Sequence, residues 1–320
     1  MIEEQGTSTD PSGRPGPRPI AVGALSAPRW IRLVPFLVSS LLYLSVFFAV
    51  FAPVPLLLLR YRAGWRWQVS ALLTNALIVG LLGGLPSAGL FLATIGTCSA
   101  FLPYALERFR GRPDRAIGAT VGAMMLAVLA GAGGMWAVSG RHPVRELKTA
   151  AQTVVQKLRE VSGTPASQWT QTPEELQREL LVELPSGALI LSLLLVWANM
   201  LVLTRVSPGL GRNVVGAPEG FFKRWRNPDW MVWPTIVAGF SLLSDFGPVS
   251  DVGINVFKVL MALYGLQGMA ILAWILDVWQ VKGLIRTCLF VLIATTGVPL
   301  LLAMGFFDLW FDFRAKFRQS

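Results

Sequence analysis

Seven stretches of this chain carry no Asp, Glu, Lys or Arg: 33–59, 67–106, 116–140, 184–204, 230–244, 259–276 and 287–307. A bilayer core about 30 Å thick is crossed by about 20 apolar residues in a helix. Backbone groups in lipid find no water, so each crossing segment must satisfy its own hydrogen bonds, which makes it helical. The stretch 67–106 is long enough for two passes, with Gly-Gly-Leu-Pro-Ser-Ala-Gly (83–89) as the turn between them. The expectation is therefore an all-α, polytopic integral membrane protein of about eight transmembrane helices, the one from Trp230 unusually short. Composition agrees: 53% of residues are hydrophobic and 14% are charged, against about a quarter charged in soluble domains.

Punctuation divides the chain further. Residues 1–30 are Pro-, Gly- and Ser-rich without an apolar h-region, which reads as a disordered tail and not a cleavable signal. Residues 31–140 hold about four membrane helices, 141–183 a polar helical hairpin, 184–308 about four more helices, and 309–320 an amphipathic, basic tail. The first apolar stretch is too long for one straight pass. Pro53 and Pro55 interrupt it. Proline removes a donor and clashes with the preceding turn, so we expect a helix to about Ala52, a break, and a short piece ending at Arg60. That break reads either as a kink near the interface or as the lining of a cavity. Gly80/Gly84, Gly118/Gly122 and the run 130–134 present small faces, which suit close packing within the chain or pairing of two chains.

In the hairpin, Val144, Leu147, Ala151, Val154, Val155, Leu158 and Val161 form an apolar helical stripe, expected to rest on the membrane surface or on other helices. The second arm opens with Thr172 as N-cap, Pro173 at the first helical position and Glu175 at the capping-box position.

The net charge of +10 is not a nucleic-acid signal, because the cations sit in short loops between apolar stretches. Loops 60–66, 107–115 and 205–226 hold three, four and five cations, and alternation puts them on one side. Eight simple passes would leave both basic tails on the opposite side; a chain that doubles back at Pro53 would return the N-terminus to the cation-rich side. Cys98 and Cys288 both lie in apolar stretches and make no disulfide framework. A lone His142 beside Pro143 builds neither a metal site nor a triad. GxSxG, HExxH and GxxxxGK[ST] are absent from the sequence. We therefore name no catalytic residue, no metal ligand and no cofactor.

Polar side chains at membrane depth are costly and are the first candidates for function. Asn255 and Lys258 share a face of the seventh helix, Tyr264 and Gln267 lie deeper, and Asp245 and Asp251 flank the same end. Asn255, Lys258 and Asp245, with Tyr264 and Gln267, could hold an anionic or zwitterionic small molecule. Equally, Lys258 could reach the headgroups or pair with Asp251. Asn75 and Asn199 are explained by interhelical hydrogen bonds.

The stretch FFKRWRNPDWMVWPTIVAGFSLL (221–243) passes from cations to purely apolar residues. Lys223, Arg224 and Arg226 fit a headgroup layer, and Trp225, Trp230 and Trp233 an aromatic belt. Asn227 before Pro228 suits a helix start. RWRNPDWMVWP (224–234), INVFKVLMALYGLQGMAIL (254–272), FFDLWFDFR (306–314) and ELPSGALILSLLLVWANMLVLTR (183–205) together resemble the YybS-like family of uncharacterised membrane proteins, domain of unknown function 2232. The resemblance covers the membrane portion. It implies the helical architecture of the substrate-capturing components of energy-coupling-factor vitamin transporters, and carries no set of functional residues. The Pro-rich tail and the long hairpin depart from that compact pattern.

The function these features suggest is non-enzymatic capture of a solute by a multi-pass protein of the inner (cytoplasmic) membrane. The alternative is a scaffold that recruits membrane-complex partners through 144–183. The implied partners are the bilayer, a small-molecule solute and a membrane protein, and not nucleic acid.

Overall fold

The computed structural model describes residues 34–109, 112–140, 142–162, 171–206, 221–244 and 246–316. Among them every regular element is helical. The N-terminal tail, most of the hairpin tip and Asp245 lie outside the described residues.

The first apolar stretch does not cross as one rod. Helix α1 (Pro35–Leu44) ends earlier than the expected Ala52. The chain turns through Val46, at φ 61°, and a short 3-10 segment (Ala49–Phe51) into α2 (Pro53–Ala63). Pro53 and Pro55 stand in the first turn of α2, where no intrahelical donor is required. They start a helix and do not interrupt one. Ser39 Oγ donates to Ala52 O at 2.7 Å, which holds the two arms together. Phe36 packs edge-on against Trp67, near the start of α3, so α1 enters from the cation-rich end and α2 returns there. Of the two topologies left open, the doubled-back one is observed.

Residues Trp65–Arg108 form an unbroken helical run of 44 residues by length, but the run is folded on itself. Helix α3 (Trp65–Phe91) contains Gly84 at φ 81° and ψ 170°, a conformation open essentially to glycine alone. Past it the chain comes back. A Cβ added at Gly80 would lie 3.3 Å from Ala88 Cβ, one at Gly96 would lie 3.4 Å from Leu72, and Gln68 Nε2 donates to Ser99 O at 2.7 Å. The return leg continues through a π-helical turn (Leu92–Gly96) into α4 (Thr97–Arg108). The 83–89 turn therefore lies where its glycines and proline put it.

Helix α5 (Pro113–Ser139) leads to α6 (Pro143–Ser162), and α7 (Pro173–Val206) returns. The second arm of the hairpin and the apolar helix that follows it are one helical element, with Pro185 inside it. Thr172 N donates to Glu175 Oε2 at 2.8 Å and Glu175 N to Thr172 Oγ1 at 3.2 Å, a reciprocal capping box at the expected place. The apolar stripe of α6 meets α7 only in part: Val155 is buried, while Val144, Leu147, Val154, Leu158 and Val161 remain exposed.

The short pass from Trp230 is α8 (Val232–Ser241), roughly 15 Å of helix. The rest of its path, residues 221–231, is two short 3-10 turns (Phe221–Arg224 and Asp229–Met231) joined by irregular backbone at 225–228. It runs beside α9 (Gly247–Val278), after which α10 (Gly283–Thr296) and α11 (Val298–Phe311) meet at 90°. A short α12 (Phe313–Lys316) follows a reversal at Asp312, φ 39°. All the apolar stretches are present as helix, yet they are not equivalent crossings. By length and composition four runs qualify as spans, or five if the bent pair is one. The fold at Gly84 makes two legs of one of those runs.

Buried residues of α2–α5, α7 and α9 make one continuous core that includes Leu56, Phe91, Leu102, Met124 and Met200. Leu73, Leu77, Leu81, Leu126, Leu129 and Leu191 point outward and are exposed. Soluble proteins do not leave so wide an apolar surface open, and lipid is its natural neighbour. Lipid tails are as apolar as leucine, so close packing holds such helices together. The tightest crossing is α9 on α11. A Cβ at Gly268 would sit 2.0 Å from Leu301 O, and one at Gly305 would sit 1.9 Å from Tyr264 O. By contrast Gly118, Gly122, Gly131, Gly133 and Gly134 have no atom within 4 Å of an added Cβ. Packing within the chain, one of the two uses expected of those small faces, is not what they do.

Candidate functional site

Three stretches far apart in sequence meet beside the middle of α9. The segment 221–231, with irregular backbone at 225–228, runs level with the uncharged part of that helix: Lys223 pairs with Asp277 at one end and Asn227 Nδ2 donates to Leu263 O at 2.9 Å further in. Non-helical backbone at such depth survives only where protein or water covers it. Here side chains supply the partners. Asn227 N donates to Gln267 Oε1 at 2.9 Å, and Gln267 Nε2 donates to Asp308 Oδ2 at 2.9 Å. Asp308 Oδ1 accepts from Phe313 N at 3.1 Å, which ties down the reversal after α11. Trp225 Nε1 donates to Asn227 Oδ1 at 3.1 Å, and Arg314 Nη2 donates to Trp225 O at 2.7 Å.

Asp308 is 1% exposed. A carboxylate so buried demands compensation. It receives two neutral donors, and the Arg314 guanidinium lies within electrostatic reach. Arg314 Nε is buried without a hydrogen-bond partner. At the rim, Arg226 faces Asp229 at 3.5 Å and Asp312 at 3.9 Å. The centre therefore offers an ionisable acceptor and an incompletely used guanidinium side by side.

Of the residues singled out in the sequence, Gln267 belongs to this centre. Tyr264 is buried next to it but works in packing: its ring meets Phe306 edge-on at 5.2 Å and its carbonyl touches Gly305. Asn255 and Lys258 lie elsewhere, against α7. Pro185 interrupts that helix, and the Asn255 amide bridges the gap: Ser186 N donates to its Oδ1 at 2.9 Å and its Nδ2 donates to Val182 O at 2.7 Å. Lys258 pairs with Glu183, and Asp251 with Arg178 at 3.6 Å, so the expected Lys258–Asp251 pair is not formed. An open cleft of about 480 Å³ lies beside them at the hairpin base, lined by Glu175, Glu179, Glu183 and Asp251 among others. Each of those four carboxylates already has a partner. Asp245 lies outside the described residues.

The expected interfacial anchors divide. Trp230 and Trp233 are 66% and 69% exposed, as a belt requires, and Arg224 is exposed. Trp225 is 9% exposed and is a member of the buried network. Asn227 caps no helix; its side chain bonds Trp225 and Leu263, and Pro228 is extended at ψ 136°. Asn75 and Asn199 do bridge helices: Asn75 holds Ser40 N and Pro35 O, and Asn199 Nδ2 donates to Val50 O in the first turn-back. Asp308 and Arg314 were not singled out. The signal for them was an acid one position beyond the uncharged stretch 287–307, followed by a cation six residues later. Among the described residues no group of three or more His, Cys, Asp or Glu could hold a metal ion.

The segments that meet at Gln267 and Asp308 are three of the four that carried the family resemblance, 224–234, 254–272 and 306–314; the fourth, 183–205, lies in α7. No curated protein and no solved structure matches the chain, and the wider likeness to energy-coupling-factor components has no support there. Residues 33–309 match the family described as "Predicted membrane protein (DUF2232)", so the chain belongs to that family of membrane proteins.

Proposed function

We propose that the protein captures a small zwitterionic or anionic solute at the Gln267–Asp308–Arg314 centre, without catalysing its conversion. One observation carries this reading: a buried carboxylate and an incompletely bonded guanidinium converge where irregular backbone lies beside the uncharged part of α9. Intramembrane ionisable groups default to functional roles because keeping them there is costly. Arg314 Nε asks for an acceptor, and Asp308 can accept further hydrogen bonds. A solute bearing both a carboxylate and an ammonium group would complete both. The positive-inside rule makes the cation-rich ends cytosolic, with the hairpin outside the inner membrane. The capture site moves from the Asn255/Lys258 face to Gln267, because Asn255 and Lys258 are engaged with α7.

The test is thermal stabilisation of purified protein across amino acids, vitamins and related metabolites, in wild type and in Asp308→Asn and Arg314→Gln. A compound that stabilises wild type and neither variant supports the reading. A compound that stabilises all three equally places capture elsewhere. No stabilising compound, together with normal cellular function of folded Arg314→Gln, overturns solute capture at this centre.

A second reading, a scaffold acting through 144–183, draws on the exposed apolar stripe of α6. Affinity capture with and without the hairpin checks it: a partner lost on deletion supports it, and an unchanged set of partners counts against it.

A further inference from the structure

The exposed side chains of α6 have a spacing of their own. Val144, Leu147, Ala151, Val154, Leu158 and Val161 follow one another at intervals of 3, 4, 3, 4 and 3 residues. That is a 3.5-residue repeat, the seam of a left-handed coiled coil. Among the described residues no helix packs into this seam. Helix α7 packs on the adjoining face, through Val155, through Gln177 Nε2 to Lys148 O at 3.2 Å, and through Arg159 Nη2 to Gln171 O at 2.7 Å. The seam itself stays open, to the extent of 87% at Val161.

We propose that a second copy of this chain covers the seam, α6 against α6 in parallel, about a two-fold axis along the membrane normal. The inference rests on reading the hairpin as a docking element, and is independent of solute capture. Three observations select this occupant. First, α6 runs antiparallel along the start of α7, with Lys148 beside Gln177 and Arg159 beside Gln171, and α7 continues into the apolar stretch, so two copies in one bilayer present their α6 helices in parallel and in register, as an isologous interface requires. Second, the flanking charges permit it. Position by position, the pairs across a parallel seam are Pro143 with Lys148, Ala150 with Val155, and Lys157 with Ser162. None of them sets like charges together, so the edge contacts that select partners do not forbid self-pairing. Third, α5, which leads directly into α6, also leaves a face open: Gly118, Gly122 and Gly133 could each accept a close neighbour. In lipid such small faces favour helix–helix approach. A second copy carries the matching face for each.

Cysteine crosslinking tests this in native membranes and in nanodiscs, in a Cys288→Ser background, because Cys288 is exposed while Cys98 is buried. Val154→Cys and Leu147→Cys, each alone, should yield disulfide-linked homodimers at least fivefold above Gln156→Cys, which lies off the seam. Val154→Glu should convert dimer to monomer by light scattering while the chain keeps its helical content by circular dichroism. Equal yields from the on-seam and off-seam cysteines overturn the proposal. So does a monomeric wild type, or crosslinking at Val154→Cys to a different protein only. In that last case the scaffold reading survives with a heterologous partner. If no crosslink forms and hairpin deletion leaves the partners unchanged, both fail.

Discussion

Gln267 Nε2 donates to Asp308 Oδ2 at 2.9 Å, and the amide can point only one way: its Oε1 already accepts from the backbone N–H of Asn227. A flip would set donor against donor at Asn227 and leave Asp308 facing an acceptor. Gln267→Leu removes both bonds and leaves a buried carboxylate with one donor fewer. We expect a loss of about 1–3 kcal/mol in stability. Gln267→Glu should lose at least as much, since it sets two carboxylates together. Denaturation in detergent measures both, and a Gln267→Leu variant as stable as wild type would show that Asp308 is compensated by other means.

The glycines make opposite predictions. Gly268→Ala and Gly305→Ala push a Cβ to about 2 Å from a carbonyl oxygen of the facing helix, so α9 and α11 must separate. Overpacking of this kind costs about 1–3 kcal/mol, and more where backbone must move. Gly122→Ala meets open space, and alanine is the better helix former by about 1 kcal/mol. In the monomer it should be neutral or stabilising. Melting temperatures of the three variants, taken together, test which glycines the fold uses.

Asn255 and Pro185 should be energetically coupled. Asn255→Ala leaves Ser186 N and Val182 O without the amide that joins them, at about 1 kcal/mol per bond. With Pro185→Ala in place, α7 can close its own ladder, and the same Asn255→Ala change should cost markedly less. A double-mutant cycle reads the difference directly. Strictly additive effects would mean that the amide does not serve the helix break.

Gly84→Ala places a side chain where φ is 81° and ψ is 170°. Strain of about 1–3 kcal/mol is expected at such a position. The loss should appear as faster hydrogen exchange in 80–99, the legs that Gln68 and Ser99 hold together. Unchanged exchange there would argue against the fold at Gly84.

Much of this was legible before any coordinates. The 83–89 turn, the Thr172/Glu175 capping box and the unusual shortness of the pass from Trp230 follow from local chemistry: a glycine-only conformation, a reciprocal pair of orphan donors, and a length that falls short of a bilayer. Gln267 was singled out because an amide at membrane depth needs a partner. Its partner was not legible, because Asp308 lies 41 residues away and looks, in sequence, like a helix-end charge. Trp225 misled for a related reason. A tryptophan among arginines suits a headgroup belt, and only the path of residues 221–231 into the protein turned it inward.

Taken alone, the sequence determined the medium and the material. Continuously apolar, uncharged stretches of about 20 residues are too long for barrel strands and form helices in lipid, because a helix satisfies its backbone donors and acceptors within the segment. Tertiary structure alone decided which stretches run straight and which turn back, and which glycines touch a neighbour. It also brought a buried carboxylate together with an amide and a guanidinium. The physical reason is range. Helix and turn are settled by neighbours a few residues apart, whereas the partners of Gln267, Asn255 and Gly268 come from segments that the bilayer holds side by side and the chain holds far apart.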